Sequence, residues 1–268
     1  MVEADLREPS FPSSGVPGVL RRFASLSRSA TAAIVDLVFP PSCLACRKAV
    51  AAHDALCPAC WSALRFIERP FCERLGTPFA ADLGDGLVSP EAIADPPVYG
   101  RARAVARYDD GPARRLVHRL KYGDRLELAT AMGRWMARAG DDLLVEADVL
   151  VPVPLHPFKL AMRGFNQSAL LAKAMSQASG VPVDVDALAR VKATPPQVGL
   201  TRSQRALNVQ GAFRVVEALA LGICGRSVVL VDDVLTSGAT INAASRALLR
   251  GGATRVDVVV FARVVPGA

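Results

Sequence analysis

Two adjacent carboxylates and a loop of small polar residues form the segment of this sequence best suited to chemistry. The apolar run of residues 228–231 leads into Asp232 and Asp233, and the loop of residues 236–240 follows after two more apolar residues. The helical pattern that starts at Ile241 places this loop at a helix N-terminus. There, free backbone N–H groups and the helix dipole favour a bound phosphate.

Each residue type in this segment has its own chemical use. Gly238 lets the backbone approach a ligand closely, and Thr236, Ser237 and Thr240 supply hydroxyl donors. The carboxylates suit ribose hydroxyls or a hydrated magnesium ion, not phosphate. A bare Asp-Asp pair more often begins a turn and caps the next helix, but the complete string of residues 228–240 favours a ligand site at the carboxyl end of a strand.

Two C-x₂-C pairs form a second candidate site. Ten residues separate the pair Cys43 and Cys46 from the pair Cys57 and Cys60. Two such turns supply four thiolates for a tetrahedral metal ion. Disulfides are disfavoured in a protein interpreted as cytoplasmic, so we predict a structural zinc ion. An iron–sulfur or redox role is the alternative.

The string of residues 228–240 resembles the phosphoribosyl-pyrophosphate (PRPP) motif of type I phosphoribosyltransferases. From about Pro40 to Arg263 the chain resembles the ComF family, competence-associated proteins that carry such a domain behind a cysteine-rich N-terminus. Further ordered motifs that carry the resemblance lie at residues 108–111, 120–124, 151–154, 163–167, 196–200 and 205–209. Ser237, where the family often has Thr, keeps the hydroxyl.

The resemblance implies binding of PRPP with Mg²⁺, and it implies catalysis by positioning and electrostatics without a protein nucleophile. It places a pyrophosphate loop at residues 154–164, in which Arg163 is the first candidate cation and Lys159 the second. It also places a flexible hood at residues 194–211. The residues assigned to PRPP binding are Asp232, Asp233, Thr236, Ser237, Gly238, Ala239, Thr240, Arg163, Arg202 and Lys121. Those assigned to catalysis are Asp232, Asp233, Arg163 and Arg205.

Two further cysteines have less certain roles. The ComF family often has another C-x₂-C pair where this sequence has Cys72 and Leu75, which puts a second complete zinc site in doubt. Cys72 is then a relic, a free thiol or a substitute ligand. Cys224 is expected to be a small buried hydrophobic residue.

A basic segment precedes the middle of the chain. Its cations are Arg114, Arg115, His118, Arg119, Lys121 and Arg125. One interpretation is a solvated helix face. The other is an anion-binding surface for a substrate phosphate or single-stranded DNA, although few aromatic residues lie nearby to stack bases.

Apolar β-branched runs alternate with helical patterns from residue 98 onwards. Strands are predicted at residues 98–108, 149–153, 227–231 and 256–260, and helices at residues 112–122, 127–139, 165–178 and 241–250. This alternation is typical of an α/β protein with a parallel sheet covered on both faces. We predict a disordered tail and lead-in helix (1–39), a small Cys₄ zinc ribbon (40–80), and a type I phosphoribosyltransferase fold with a parallel central sheet (98–268).

Composition adds weaker constraints. The 268 residues are 51% hydrophobic with a net charge of +7, a balance that suits anionic small molecules or nucleic acid. No run approaches the roughly 18 apolar residues of a membrane span, and no secretory signal is evident, so we expect a cytoplasmic protein. Two hypotheses remain: a phosphoribosyltransferase with an unidentified acceptor, or a non-catalytic PRPP-binding protein of DNA uptake. The second would bring single-stranded DNA and competence or DNA-processing proteins as partners.

Overall fold

The computed structural model describes residues 40–82, 84, 86–122, 126–193 and 201–265. The predicted tail and lead-in helix of residues 1–39, Arg125 and the motif at residues 196–200 lie outside the described residues. Ser42–Ala268 forms one compact unit. No helix in the described ranges combines the length and the apolar character that a membrane crossing requires.

The regular elements alternate between helices and strands after a short N-terminal region. The helices are α1 (Pro58–Ala63), α2 (Pro90–Ala94), α3 (Pro112–Tyr122), α4 (Leu126–Ala139), α5 (Asp141–Leu144), α6 (Pro157–Arg163), α7 (Gln167–Ser179), α8 (Arg202–Asn208) and α9 (Ala239–Arg250). The strands are β1 (Ala102–Arg107), β2 (Val149–Pro152), β3 (Leu188–Arg190), β4 (Phe213–Val215), β5 (Ser227–Leu235) and β6 (Arg255–Arg263).

A four-stranded sheet of order β1-β6-β5-β2 forms the centre of the unit, and all its neighbouring strands are parallel. One face packs against α3, α4 and α7 through Leu116, Met132 and Leu171. The other face packs against α9 and the antiparallel β3–β4 hairpin through Leu248 and Phe213. Because both faces are covered, the strands are apolar almost throughout. The predicted α/β class with a parallel central sheet is confirmed.

Strand β5 continues to Leu235, four residues beyond its predicted end. Its parallel pairing with β6 continues past the aspartates, so both carboxylates lie within the strand instead of after it. The alternation of side chains breaks there, because Val231 and Val234 pack on the same face while Leu230 and Leu235 pack on the other. Such an irregularity re-aims side chains at the end of a strand.

Strand β1 begins at Ala102, later than its predicted start at residue 98. The preceding backbone donates elsewhere: the N–H of Val98 to Oδ1 of Asn242 at 2.9 Å, and the N–H of Arg101 to Oδ1 of Asp257 at 2.8 Å. Side-chain acceptors therefore alternate here with backbone bonds to β6, such as that from the N–H of Gly100 to Val256 O, and regular pairing starts only at Ala102.

Candidate functional site

The two aspartates of β5 are buried and are held by side chains from other elements. Asp232 is 9% exposed and Asp233 is 4% exposed. The Ser168 hydroxyl, in α7, donates to Oδ1 of Asp232 at 2.8 Å, and the N–H of Asp233 donates to the same oxygen at 2.9 Å. Nζ of Lys121, in α3, lies 2.6 Å from Oδ2 of Asp233. Helices on one face of the sheet thus fix both carboxylates.

The electrostatics of this cluster distinguish the two carboxylates. Burial, and then the charge of Asp233, raise the pKa of Asp232 to about 7, against the hydrogen bonds from Ser168 and the Asp233 N–H and the charge of Lys121. Burial would lower the pKa of Lys121, but the charge and hydrogen bond of Asp233 raise it above its usual value. Lys121 is therefore cationic at neutral pH, whereas Asp232 exchanges its proton there.

The loop after the aspartates forms the start of α9, two residues before the predicted start at Ile241. Gly238 is the N-cap residue and has φ 78°, a left-handed conformation that favours glycine. The hydroxyl of Ser237 is buried without a hydrogen-bond partner among the described residues. Free N–H groups at the N-terminus of this 12-residue helix, together with an unused hydroxyl, suit a phosphate.

The segment predicted as a pyrophosphate loop, residues 154–164, contains the short helix α6. Pro157 occupies its first turn, Nδ1 of His156 accepts the N–H of Phe158, and Gly164 ends it with φ 79°. The prediction of a loop was therefore wrong for Pro157–Arg163, because proline at the start and left-handed glycine at the end both favour a helix.

Arg163, the predicted pyrophosphate cation, stands at the C-terminus of α6. Its Nη1 donates to Oε1 of Gln167 at 2.6 Å, and its guanidinium carbon lies 5.6 Å from the centroid of the Tyr122 ring. Tyr122 ends the helix that carries Lys121. The structure therefore brings Arg163 to the end of α3 that also reaches Asp233.

Two further cations lie near Arg163. Burial lowers the pKa of Lys159, and the charges of Arg190 and Arg163 lower it further. Burial also lowers the pKa of Arg190, while the charge of Asp232 opposes that shift. Lys159 is thus coupled to both arginines, and Arg190 to Asp232, and a group of like charges of this kind is typical of an anion site. Sequence reasoning missed Arg190, which lies in the short strand β3 outside any motif.

The region predicted as a hood, residues 194–211, lies between the antiparallel strands β3 and β4 and contains α8. Helix α8 begins with a capping box in which Thr201 and Gln204 satisfy each other's backbone N–H groups. Arg205 lines a cavity together with Thr236 and Ser237 of the loop. Arg202 is the first residue of α8, but its side chain lies outside the described residues, as does the hood segment 194–200.

The four predicted zinc ligands converge. The Sγ atoms of Cys43, Cys46, Cys57 and Cys60 all lie within 4.8 Å of one another. A tetrahedral zinc ion with bonds of about 2.3 Å needs sulfur–sulfur distances of about 3.8 Å, so these thiols fit zinc. Burial would raise the pKa of Cys43, but backbone N–H groups of Cys46 and Cys57 lower it to about 6. A thiolate is the form that binds zinc.

Residues 71–92, the second ribbon, repeat the backbone arrangement of residues 42–60, the first ribbon. The N–H of Cys43 bonds to Lys48 O and that of Cys72 to Thr77 O, both at 2.8 Å. The N–H of Cys57 lies 3.2 Å from Sγ of Cys43, and the N–H of Ser89 lies 3.2 Å from Sγ of Cys72. The residue that donates this N–H is in both ribbons the N-cap of a short helix with proline in its first turn. The helix is α1 after Cys57 and α2 after Ser89.

The second ribbon carries a different set of side chains at the corresponding ligand positions. These are Cys72, Leu75, Ser89 and Ala92. Leu75 is 7% exposed and Ala92 1% exposed, so apolar packing occupies the place of two thiolates. One thiol and one hydroxyl do not fit zinc. Burial would raise the pKa of Cys72, but hydrogen bonds from Ser89 and the backbone lower it.

Two other sequence expectations changed. Cys224 is exposed, so its prediction as a buried residue was wrong, because the neighbouring Ile223 fills the core instead.

Arg119 does not belong to a free basic face: its Nη1 donates to the backbone carbonyls of Leu44 and Cys43. Arg119 thereby joins α3 to the first ribbon.

Comparison with known proteins matches both parts of this arrangement. Residues 34–92 match the family described as a double zinc ribbon domain, and residues 162–265 match the phosphoribosyl transferase domain. Among solved structures, a glutamine PRPP amidotransferase from B. subtilis is 23% identical with a TM-score of 0.36, covering 53% of this chain and 30% of that chain.

Curated relatives cover most of the chain. DNA utilization protein YhgH of Escherichia coli K12 is 34% identical over 229 residues, which span 83% of this chain and 96% of the relative. Competence protein F of Haemophilus influenzae is 28% identical over 233 residues (82% and 96%), and competence protein ComFC of Bacillus subtilis is 28% identical over 202 residues (74% and 80%). The chain therefore belongs to the ComF family, in which an N-terminal zinc ribbon precedes a phosphoribosyltransferase-type domain.

Proposed function

We propose that the protein binds PRPP with Mg²⁺ and transfers its phosphoribosyl group to an acceptor in the cytoplasm. The observation that carries this proposal is the buried pair Asp232 and Asp233, bonded to Ser168 and Lys121, at the strand end that leads into the phosphate-type loop.

The geometry suggests a subsite for each part of the donor. The loop of residues 236–240 and the N-terminus of α9 would hold the 5′-phosphate. Asp232 and Asp233 would accept hydrogen bonds from the ribose hydroxyls. The cluster of Lys159, Arg163 and Arg190 would hold the pyrophosphate, because guanidinium groups bind phosphate oxygens bidentately.

Transfer would break the bond between the ribose anomeric carbon and pyrophosphate and form a bond from that carbon to the acceptor. A Mg²⁺ ion, when bound, neutralises charge on the departing pyrophosphate, and carboxylate oxygens are the ligand type that it prefers. The cations at Arg163 and Arg190 would stabilise the same developing charge, and Arg205 on α8 would close over the site and exclude water. Lys121 would hold the Asp233 carboxylate in place through its ion pair.

The test is donor binding measured by calorimetry with PRPP and Mg²⁺. The double variant Asp232→Asn with Asp233→Asn keeps the size of both side chains and should weaken binding at least tenfold. Asp186→Asn, at an exposed carboxylate elsewhere on the domain, is the matched control and should bind like the wild type. Wild-type affinity in the double variant would refute the assignment.

A second candidate function is single-stranded DNA handling with competence or DNA-processing partners. It is favoured by a basic cleft of about 550 Å³ between α3 and the first ribbon, whose lining includes Arg47, Arg114, Arg115 and His118 as well as Asp110, which pairs with Arg114. The names of the relatives point the same way. This function is compatible with a retained PRPP site, and the zinc ion of the first ribbon would then support one wall of the cleft.

A further inference from the structure

The cavity that Arg205 lines has a volume of about 370 Å³ and extends from the loop of residues 236–238. Its walls come from the loop, from the end of β6, from α8 and from the second ribbon. The apolar lining consists of Leu75, Pro97, Tyr99, Leu235 and Val264, and the polar lining includes Glu91, Asp95, Arg205, Ser237, Asn242 and Arg263. This volume lies in the usual range of small-molecule sites.

Arg263 is the unusual residue of this cavity. It is 6% exposed, and its Nε and Nη1 are buried without a hydrogen-bond partner in the part of the chain that the structure describes. Among the described residues, no ion pair within 4.0 Å joins Glu91 of the wall to Arg263. A buried guanidinium without a partner is costly, so an anion is the ligand that this position favours.

Two more unused donors line the same cavity. Nε of Arg205, from α8, and Oγ of Ser237, from the loop, are buried and have no hydrogen-bond partner in the described ranges. Three elements therefore direct hydrogen-bond donors at one cavity. The apolar walls at Leu75 and Tyr99 suit the flat body of a small ring compound that carries the anionic group.

We propose that this cavity binds the acceptor and that the acceptor is an aromatic or heteroaromatic compound bearing a carboxylate that pairs with Arg263. The inference rests on the proposed transferase function. The donor's 5′-phosphate already has the N–H groups at the N-terminus of α9 as partners, and its pyrophosphate has the cluster of Lys159, Arg163 and Arg190. Arg263 therefore supplies a positive charge that the donor does not use.

The probe is benzoate, followed through the Nε–Hε resonances of the full-length ¹⁵N-labelled protein. The Arg263 resonance is assigned by its disappearance in Arg263→Lys. We expect benzoate to shift it saturably, both in the free protein and with PRPP and Mg²⁺ bound, and we expect neutral benzamide to leave it unchanged. Phenyl phosphate tests whether the site prefers a phosphate to a carboxylate. We expect it to bind at least tenfold more weakly than benzoate.

Arg263→Met should weaken benzoate binding at least tenfold, measured by calorimetry, while PRPP binding stays within twofold of the wild type. Should that variant fail to fold, Arg263→Gln, which keeps a polar side chain without the charge, provides the same test, with benzoate binding weakened several-fold. An unchanged Arg263 resonance, an equal effect of benzamide, or displacement of benzoate by ribose 5-phosphate would overturn the proposal. Failure to bind PRPP with a normal benzoate response would refute the transferase function and leave the anion cavity in place.

Discussion

Nζ of Lys121 lies 2.6 Å from Oδ2 of Asp233, which joins the end of α3 to the strand that feeds the phosphate-type loop. Lys121 thereby offsets the charge of two buried carboxylates that would otherwise repel each other. Residues of the same basic helix therefore have different contacts. Lys121 pairs with Asp233, whereas Arg119 bonds to the first ribbon.

Replacing Lys121 by Met should weaken PRPP binding at least tenfold, because Asp233 would lose its buried counter-charge and the ion pair that fixes its position. The variant should also lower the free energy of unfolding, by about 3 kcal/mol at most, as measured by urea denaturation. Lys173→Met, on the exposed face of α7, is the matched control and should change neither quantity. A Lys121→Met variant that binds the donor normally would exclude Lys121 from the site.

Asp232 should make the protein less stable as pH rises. Its pKa is raised to about 7 in the folded state, mainly by burial, so the folded state holds the proton more tightly than the unfolded chain. The stability from that proton is present at low pH and is lost as pH rises through 7. Asp232→Asn, which can still accept from Ser168, should therefore gain stability relative to the wild type between pH 5.5 and pH 8, by roughly 1–2 kcal/mol.

Urea denaturation at the two pH values measures this difference. Asp186→Asn serves as control. Its free energy of unfolding should differ from that of the wild type by the same amount at both pH values. An Asp232→Asn offset that does not grow with pH would show that the carboxyl titrates normally. The stabilised variant should still fail to bind PRPP, since polar groups kept for binding often reduce stability.

The sequence predicts the sheet well because parallel strands buried on both faces need apolar β-branched runs, and those of β2, β5 and β6 are unmistakable. The sequence pattern ends β5 too early because aspartate is depleted in strands. In the structure, pairing with β6 keeps Asp232 within the strand. Arg190 and Arg263 carry no local signal, since each gains its meaning from distant elements that the fold brings near. The second ribbon could have been recognised, because Ser89-Pro90 repeats the pattern of Cys57-Pro58 seventeen residues after Cys72.

Zinc content should distinguish one metal-binding ribbon from two. We expect close to one zinc ion per chain by elemental analysis, because Leu75 and Ala92 replace thiolates in the second ribbon. Cys57→Ser should lose the metal, whereas Cys72→Ser should retain it in full. Two zinc ions per chain, or loss of zinc in Cys72→Ser, would contradict the assignment of a metal-free second ribbon.

The basic cleft between α3 and the first ribbon provides the last prediction. Arg114 and Arg115 are exposed members of its lining, whereas Arg119 bonds to ribbon carbonyls and is unsuitable for a charge test. If the cleft binds single-stranded DNA, Arg114→Glu with Arg115→Glu should weaken binding and reduce the slope of log affinity against log salt. Each lost phosphate contact removes about 0.7 from that slope, so two contacts should remove about 1.4. Fluorescence polarisation with a labelled oligonucleotide over a range of salt concentrations measures it.

The matched control reverses two exposed arginines on α9, Arg246→Glu with Arg250→Glu, which changes the net charge equally at a distant surface. Equal losses in both double variants would indicate a diffuse charge effect, whereas an unchanged salt slope in the Arg114–Arg115 variant would exclude the cleft. PRPP binding should survive in both, because the donor site uses Lys121 and the loop of residues 236–240. Arg119→Gln, by contrast, should lower the thermal midpoint of the protein without a specific change in the salt slope, since it loosens the contact between α3 and the ribbon.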